Sequence, residues 1–166
     1  MKQRDALNIL KAGKNVYLTG AAGSGKTYAL NEYVSYLKNR GVSVGVTAST
    51  GIAATHIGGV TIHSWSGLGI RDTLNEADIE NLVQKEYLYK RFEKARVLVI
   101  DEVSMLSARL FDFVERVCRA MKRNEEPFGG MQVVLSGDFF QLPPIARDGG
   151  NAEFINSSDA WKSMDV

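Results

Sequence analysis

The eight residues Gly20-Ala21-Ala22-Gly23-Ser24-Gly25-Lys26-Thr27 carry the spacing G-x-x-x-x-G-K-T. An apolar stretch, Asn15-Val16-Tyr17-Leu18-Thr19, precedes them, and a stretch of helical character, Tyr28 to Asn39, follows. Strand, glycine loop and helix in that order are what a nucleoside triphosphate loop needs. Glycines at 20, 23 and 25 let successive backbone N–H groups turn inward around an anionic β-phosphate, above the positive end of the helix dipole. The cradle as a whole runs through Gly20, Ala22, Gly23, Ser24 and Gly25 to Lys26, Thr27 and Tyr28. Lys26 supplies a point charge for the β/γ-phosphates, and the Thr27 hydroxyl is a ligand for Mg²⁺. A glycine-rich turn with a merely solvated lysine is the competing reading, but this spacing rarely arises by chance in such a context.

Two further pieces of chemistry sit at the ends of apolar runs. Val97-Leu98-Val99-Ile100-Asp101-Glu102 delivers two adjacent carboxylates, the arrangement called Walker B. Open parallel sheets place ligands outside the carboxyl ends of their strands, so both acids are expected on the same rim as Lys26. Asp101 would hold Mg²⁺ through its water shell, and Glu102 is placed to orient or deprotonate an attacking water. Alone, the pair could equally cap a helix beginning at Ser104. Val133-Val134-Leu135-Ser136-Gly137-Asp138 repeats the pattern and leads into Phe139-Phe140-Gln141-Leu142-Pro143-Pro144. The Gln141 amide can donate to a γ-phosphate oxygen and accept from water, as a sensor of nucleotide state. At least one of Phe139 and Phe140 is expected in the core. A weaker signal lies in Thr47-Ala48-Ser49-Thr50-Gly51-Ile52-Ala53-Ala54 and Thr61-Ile62-His63-Ser64-Trp65. Hydroxyls and open amides there could grip phosphates, and His63 or Trp65 could stack on a base, although a histidine near a tryptophan is more often a packed pair than a ligand, and small residues after a strand are an ordinary helix start.

The elements that must hold these residues can be read from hydrophobic runs. Val16-Tyr17-Leu18, Val42 to Val46, Val97 to Ile100 and Val133-Val134-Leu135 are short, apolar and separated by helical or irregular segments. That pattern argues for an α/β lobe with a central, mostly parallel sheet and helices on both faces. The helix after the glycine loop is expected to end near Arg40-Gly41, where glycine takes a left-handed cap. Leu106, Leu110, Phe113, Val114, Val117 and Met121 repeat at helical steps and predict a second long helix from Ser104 onward. Its final turn carries Arg119, Lys122 and Arg123, which suit the negative end of a helix dipole; they could hold a phosphate, but a solvated helix end accounts for them more simply. Glu76 to Lys94 reads as one or two surface helices, and Phe154, Ile155 and Trp161 imply packing near the end of the chain.

With 166 residues the chain is about one domain, expected to span 1–166. Lys+Arg number 20 against Asp+Glu 19, so overall charge argues for no nucleic-acid partner and any such partner must be argued locally. The single cysteine, Cys118, excludes an internal disulfide and falls where a buried helical thiol is expected. No apolar run approaches the length of a membrane span, and a soluble, intracellular protein is expected.

Taken in order, the glycine loop, Thr47 to Ala54, Thr61 to Trp65, Val99 to Met105 and Leu135 to Pro144 resemble the helicase motifs of the Pif (petite integration frequency) family. These are superfamily-one DNA helicases that move 5′ to 3′ along single strands, and the resemblance covers almost the whole chain. It implies a RecA-like P-loop NTPase lobe that uses ATP and Mg²⁺ and works on single-stranded DNA and DNA forks as a monomer. It also implies that Gln3 reads adenine upstream of the glycine loop, and that Thr50, Gly51, His63 and Trp65 contact single-stranded DNA. Family members pair this lobe with a second one that carries arginines reaching the γ-phosphate. Because an arginine finger is worth ~10³ to 10⁵ in turnover, an isolated first lobe is expected to hydrolyse ATP very slowly. The implied location is the nucleoid if the source is bacterial, and the nucleus or mitochondrion if it is eukaryotic. The rival readings are a stand-alone or ring-forming P-loop ATPase and a nucleotide-switched binding module for single-stranded DNA; a small-molecule kinase fits less well, since Asp101-Glu102 suits water activation.

Overall fold

A computed structural model describes residues 1–21, 23–140 and 153–166. Eight α-helices and five strands alternate along these residues: α1 Gln3–Lys11, β1 Val16–Leu18, α2 Lys26–Asn39, β2 Val44–Ala48, α3 Gly51–His56, β3 Val60–Thr61, α4 Ile62–Ser66, α5 Glu76–Val83, α6 Glu86–Lys94, β4 Val97–Asp101, α7 Ala108–Lys122, β5 Gln132–Ser136 and α8 Asp159–Ser163. The strands form one sheet in the order β1-β5-β4-β2-β3, with every neighbouring pair parallel. The expected parallel α/β architecture is therefore present.

Side-chain alternation divides the core between the two faces of the sheet. Val97, Val99 and Val134 point to the face covered by α1, α2 and α3, where Leu10, Leu30, Tyr33, Leu37, Ala54 and Ile57 are buried. Leu98, Ile100, Val133 and Leu135 point to the other face, against Trp65, Phe92, Phe111, Val114 and Ile155. Gln132 ties the first face together: its amide donates to the carbonyls of Leu10 (3.1 Å) and Lys14 (2.7 Å), and it accepts from the Tyr33 hydroxyl at 2.6 Å.

Most boundaries follow the sequence pattern. Helix α2 stops at Asn39, and Gly41 takes φ +71°, as its position after the helix requires. Glu76–Lys94 folds as two helices, α5 and α6, and Cys118 is completely buried within α7. Three differences have clear causes. The long helix starts at Ala108 rather than Ser104, because Glu102 adopts a left-handed conformation, Val103–Met105 makes only a 3₁₀ turn, and the Ser107 hydroxyl accepts from Leu110 N–H to cap α7. The basic end of α7 is engaged rather than merely solvated: Lys122 Nζ donates to the Ala95 carbonyl at 2.7 Å and Arg119 pairs with Glu115 at 2.7 Å. Strand β3 was not expected at all, since a two-residue edge strand has no run of its own to betray it.

Candidate active site

The glycine loop joins β1 to α2 and reaches the sheet rim with unusual backbone geometry. Gly25, immediately before α2, has φ +91°, a conformation that side chains rarely adopt. A Cβ built there would also lie 1.9 Å from Nε2 of Gln3, so the glutamine amide rests directly against the loop. Helix α1 thus brings the residue expected to read adenine to the loop's edge. Lys26 Nζ donates to the Gly20 carbonyl, which folds the lysine back over the loop it is meant to serve.

Asp101 ends β4 and is buried, and its Oδ1 accepts from the Glu102 N–H at 2.8 Å. Glu102 itself has φ +53° and ψ +46°, an uncommon state for a residue with a side chain. Ser49 fastens this turn from β2: its N–H donates to the Asp101 carbonyl at 3.0 Å and its hydroxyl to the Glu102 carbonyl at 2.6 Å. Across the rim, the Tyr17 hydroxyl donates to the Gly137 carbonyl at 3.2 Å and Gly137 N–H donates to the Leu18 carbonyl at 3.1 Å, fixing the exit of β5 to β1. Burial raises the Tyr17 pKa, which keeps that hydroxyl protonated as a donor.

These elements enclose a cleft of about 370 Å³ lined by Gly23, Ser24, Gly25, Lys26, Thr27, Ala53, His56, Asp101, Glu102 and Gly137. Lys26, Thr27, Asp101 and Glu102, separated by as much as half the chain, therefore share one cavity. A lysine, a hydroxyl and two carboxylates around loop amides can neutralise a phosphate chain, hold a divalent ion and polarise water. Beside the cleft-lining Gly137, Ser136 buries a hydroxyl that has no hydrogen-bond partner among the described residues. Thr27 and Asp101 offer the oxygen donors a Mg²⁺ ion prefers, and such an ion keeps several waters and takes few protein ligands.

Other expected site residues are placed differently. Tyr28 follows Thr27 on α2 but is 58% exposed and does not line the cleft. Thr50 caps α3, its hydroxyl accepting from Ala53 N–H, and Gly51 opens that helix at the surface. His63 is half-buried on α4, and burial lowers its pKa. Trp65 corrects an expectation. Its ring is only 6% exposed, packs 4.5 Å from Phe92 and leaves Gly45 no room for a Cβ, so it props α4 on the sheet and offers no stacking platform for a base. Phe139 joins Tyr17, Phe154 and Trp161 in an aromatic cluster, whereas Phe140 is fully exposed. Gln141 and Ala22 lie outside the described residues. The sequence reading missed His56 and placed Ala53 only within the Thr47 to Ala54 stretch, without tying it to the nucleotide cleft; the two share a helical face three residues apart.

Comparison with known proteins places this chain in a family. The family model described as PIF1-like helicase matches residues 2–166. The chain is 57% identical over 163 residues to the ATP-dependent DNA helicase Pif1 of a Psychrobacter strain, covering 97% of this chain and 25% of that protein. Among solved structures, the Pif1 helicase of Candida albicans superposes with a TM-score of 0.91 at 37% identity, covering 98% of this chain and 37% of that one. The Bacteroides Pif1 helicase in complex with ADP-AlF3 and single-stranded DNA gives 0.75 at 31% identity, over 98% of this chain and 39% of that one. The chain thus spans about a quarter to two-fifths of the proteins it resembles, its fold is the RecA-like lobe found in them, and it belongs to the PIF1-like helicase family.

Proposed function

We propose that residues 1–166 form the first motor lobe of an ATP-dependent DNA helicase that moves 5′ to 3′ along single-stranded DNA and opens forks. The observation that carries this reading is the gathering of Lys26, Thr27, Asp101 and Glu102 around one cleft. In it, the loop amides and Lys26 bind the β- and γ-phosphates, and Lys26 exchanges the Gly20 carbonyl for phosphate oxygens. Gln3, held against Gly25, presents its amide to the adenine edge. Thr27 and Asp101 would hold Mg²⁺, which when bound screens the phosphate charge. Glu102 takes the proton of the attacking water, its backbone held in place by Ser49, and Gln141 senses the γ-phosphate.

Thr50, Gly51 and His63 are the residues proposed to touch single-stranded DNA, since α3 and α4 both start at the rim where β2 and β3 end. The nucleotide and DNA named with the Bacteroides relative support both halves of this reading. A second lobe, supplying arginines to the γ-phosphate and the remaining DNA track, would complete a monomeric motor.

The decisive experiment is titration of a fluorescent adenine nucleotide with Mg²⁺ into the wild-type chain and its Lys26→Ala variant. The variant should fold normally, because this lysine makes no core contact, and should lose nucleotide binding. Wild-type affinity in the variant would refute the assignment.

A further inference from the structure

Two residues lining the cleft can carry a positive charge, Lys26 and His56, and only the first has a role in the reading above. We propose that His56 is a triphosphate-discriminating residue whose imidazole donates a hydrogen bond to the terminal phosphate of the bound nucleotide. The inference rests on the cleft being the nucleotide site and adds to it a specificity determinant.

Placement is the first argument. Gln3 marks the base end of the loop, outside the cleft, while His56 shares the cleft with Asp101 and Glu102, where the terminal phosphate and attacking water belong. The helix face that carries it also carries Ala53, whose small side chain leaves space between α3 and the start of α2.

Rigidity is the second argument. Neighbours of His56 anchor its backbone: Ala53, Ala54 and Ile57 are buried, and Gly59 N–H donates to the Ala54 carbonyl at 2.9 Å. Gly59 lies so close to β2 that a Cβ there would come 2.1 Å from the Val46 carbonyl oxygen. A side chain on so firmly held a helix can meet a ligand with little loss of backbone freedom.

Availability is the third. The His56 side chain is exposed, and among the described residues its ring makes no hydrogen bond, ion pair or ring contact. Helix α3 gains nothing in packing from an imidazole at this position. The two carboxylates in the cleft repel a terminal phosphate, and a second donor beside Lys26 in the same lining offsets that repulsion.

The test compares affinities for ADP and for a non-hydrolysable ATP analogue, with Mg²⁺, in the full 166-residue chain. A charge-assisted hydrogen bond in an open cleft is worth about tenfold. His56→Ala should therefore weaken the analogue about tenfold while ADP changes less than about twofold. His56→Asn, which keeps an N–H donor of similar reach, should recover most of the loss. Equal weakening of both nucleotides, or unchanged preference for the analogue, would overturn the role of His56 while leaving the nucleotide site standing. Failure of the wild-type chain to bind either nucleotide would instead overturn the site itself.

Discussion

Replacing Ser49 by alanine tests whether the backbone of Glu102 is held by design. Left-handed geometry costs a residue with a side chain about 1–2 kcal/mol. Here it is maintained by the Ser49 hydroxyl (2.6 Å) and Met105 N–H (3.2 Å) on the Glu102 carbonyl, and by Asp101 Oδ1 (2.8 Å) on its N–H. Removing the hydroxyl deletes a part-buried hydrogen bond worth about 1 kcal/mol net. That loss is comparable to the strain being restrained, so the ratio of the productive conformer to its alternatives should fall about fivefold, 1.4 kcal/mol being a factor of ten. In a two-lobe helicase built on this chain as proposed above, Ser49→Ala should lower kcat for DNA-stimulated ATP hydrolysis by up to about fivefold and leave KM for ATP nearly unchanged. The melting temperature should fall by roughly 2–4 °C, as expected for about 1 kcal/mol in a domain of this size. A lower melting temperature with unchanged kcat would show that Ser49 is only structural, and the argument from backbone strain would fail.

Trp65→Ala should destabilise the lobe by about 3–5 kcal/mol, because a large ring is removed from the space between Phe92 and Gly45, whereas Trp65→Phe should keep both fold and DNA affinity. Loss of single-strand binding in Trp65→Ala at an unchanged melting temperature would restore the ring as a stacking platform. His63 gives a dependence on pH: its folded pKa lies below the ordinary 6.5 because of burial, so the unfolded chain takes up the proton first as pH falls. Stability should therefore decrease below about pH 6.5, and chemical denaturation across pH 5–8 should show a flatter profile in His63→Gln.

The parts of the site that could be read from the sequence are those in which the chemistry is contiguous. The glycine loop and the Asp101-Glu102 pair each follow an apolar strand, and a parallel sheet sends every strand's carboxyl end to one rim, so their convergence needed no tertiary information. What escaped depends on packing between distant segments. His56 reaches the cleft only because α3 lies beside α2 on one sheet face, and Ser49 matters only because β2 is hydrogen-bonded along β4. Trp65 was assigned to DNA by the family resemblance, and the local pattern could not overrule it, because an aromatic beside polar residues looks the same whether it faces a base or Phe92. The start of α7 was misplaced by four residues because hydrophobic spacing does not register a single left-handed residue at 102.

The strand order has a consequence for how the lobe is made. Strand β1 meets the sheet through β5, with Val16 opposite Val134 and Val133 N–H bonded to the Asn15 side chain 118 positions earlier. During synthesis at ~5–20 residues per second, the nascent N-terminal segment must wait roughly 6–24 s for its neighbour to leave the ribosome. Strands β2 and β4 pair with each other and can assemble meanwhile. The glycine loop, made long before β5, is thus seated on its scaffold only once β5 has emerged, and until then it is a segment for proteases and chaperones to find.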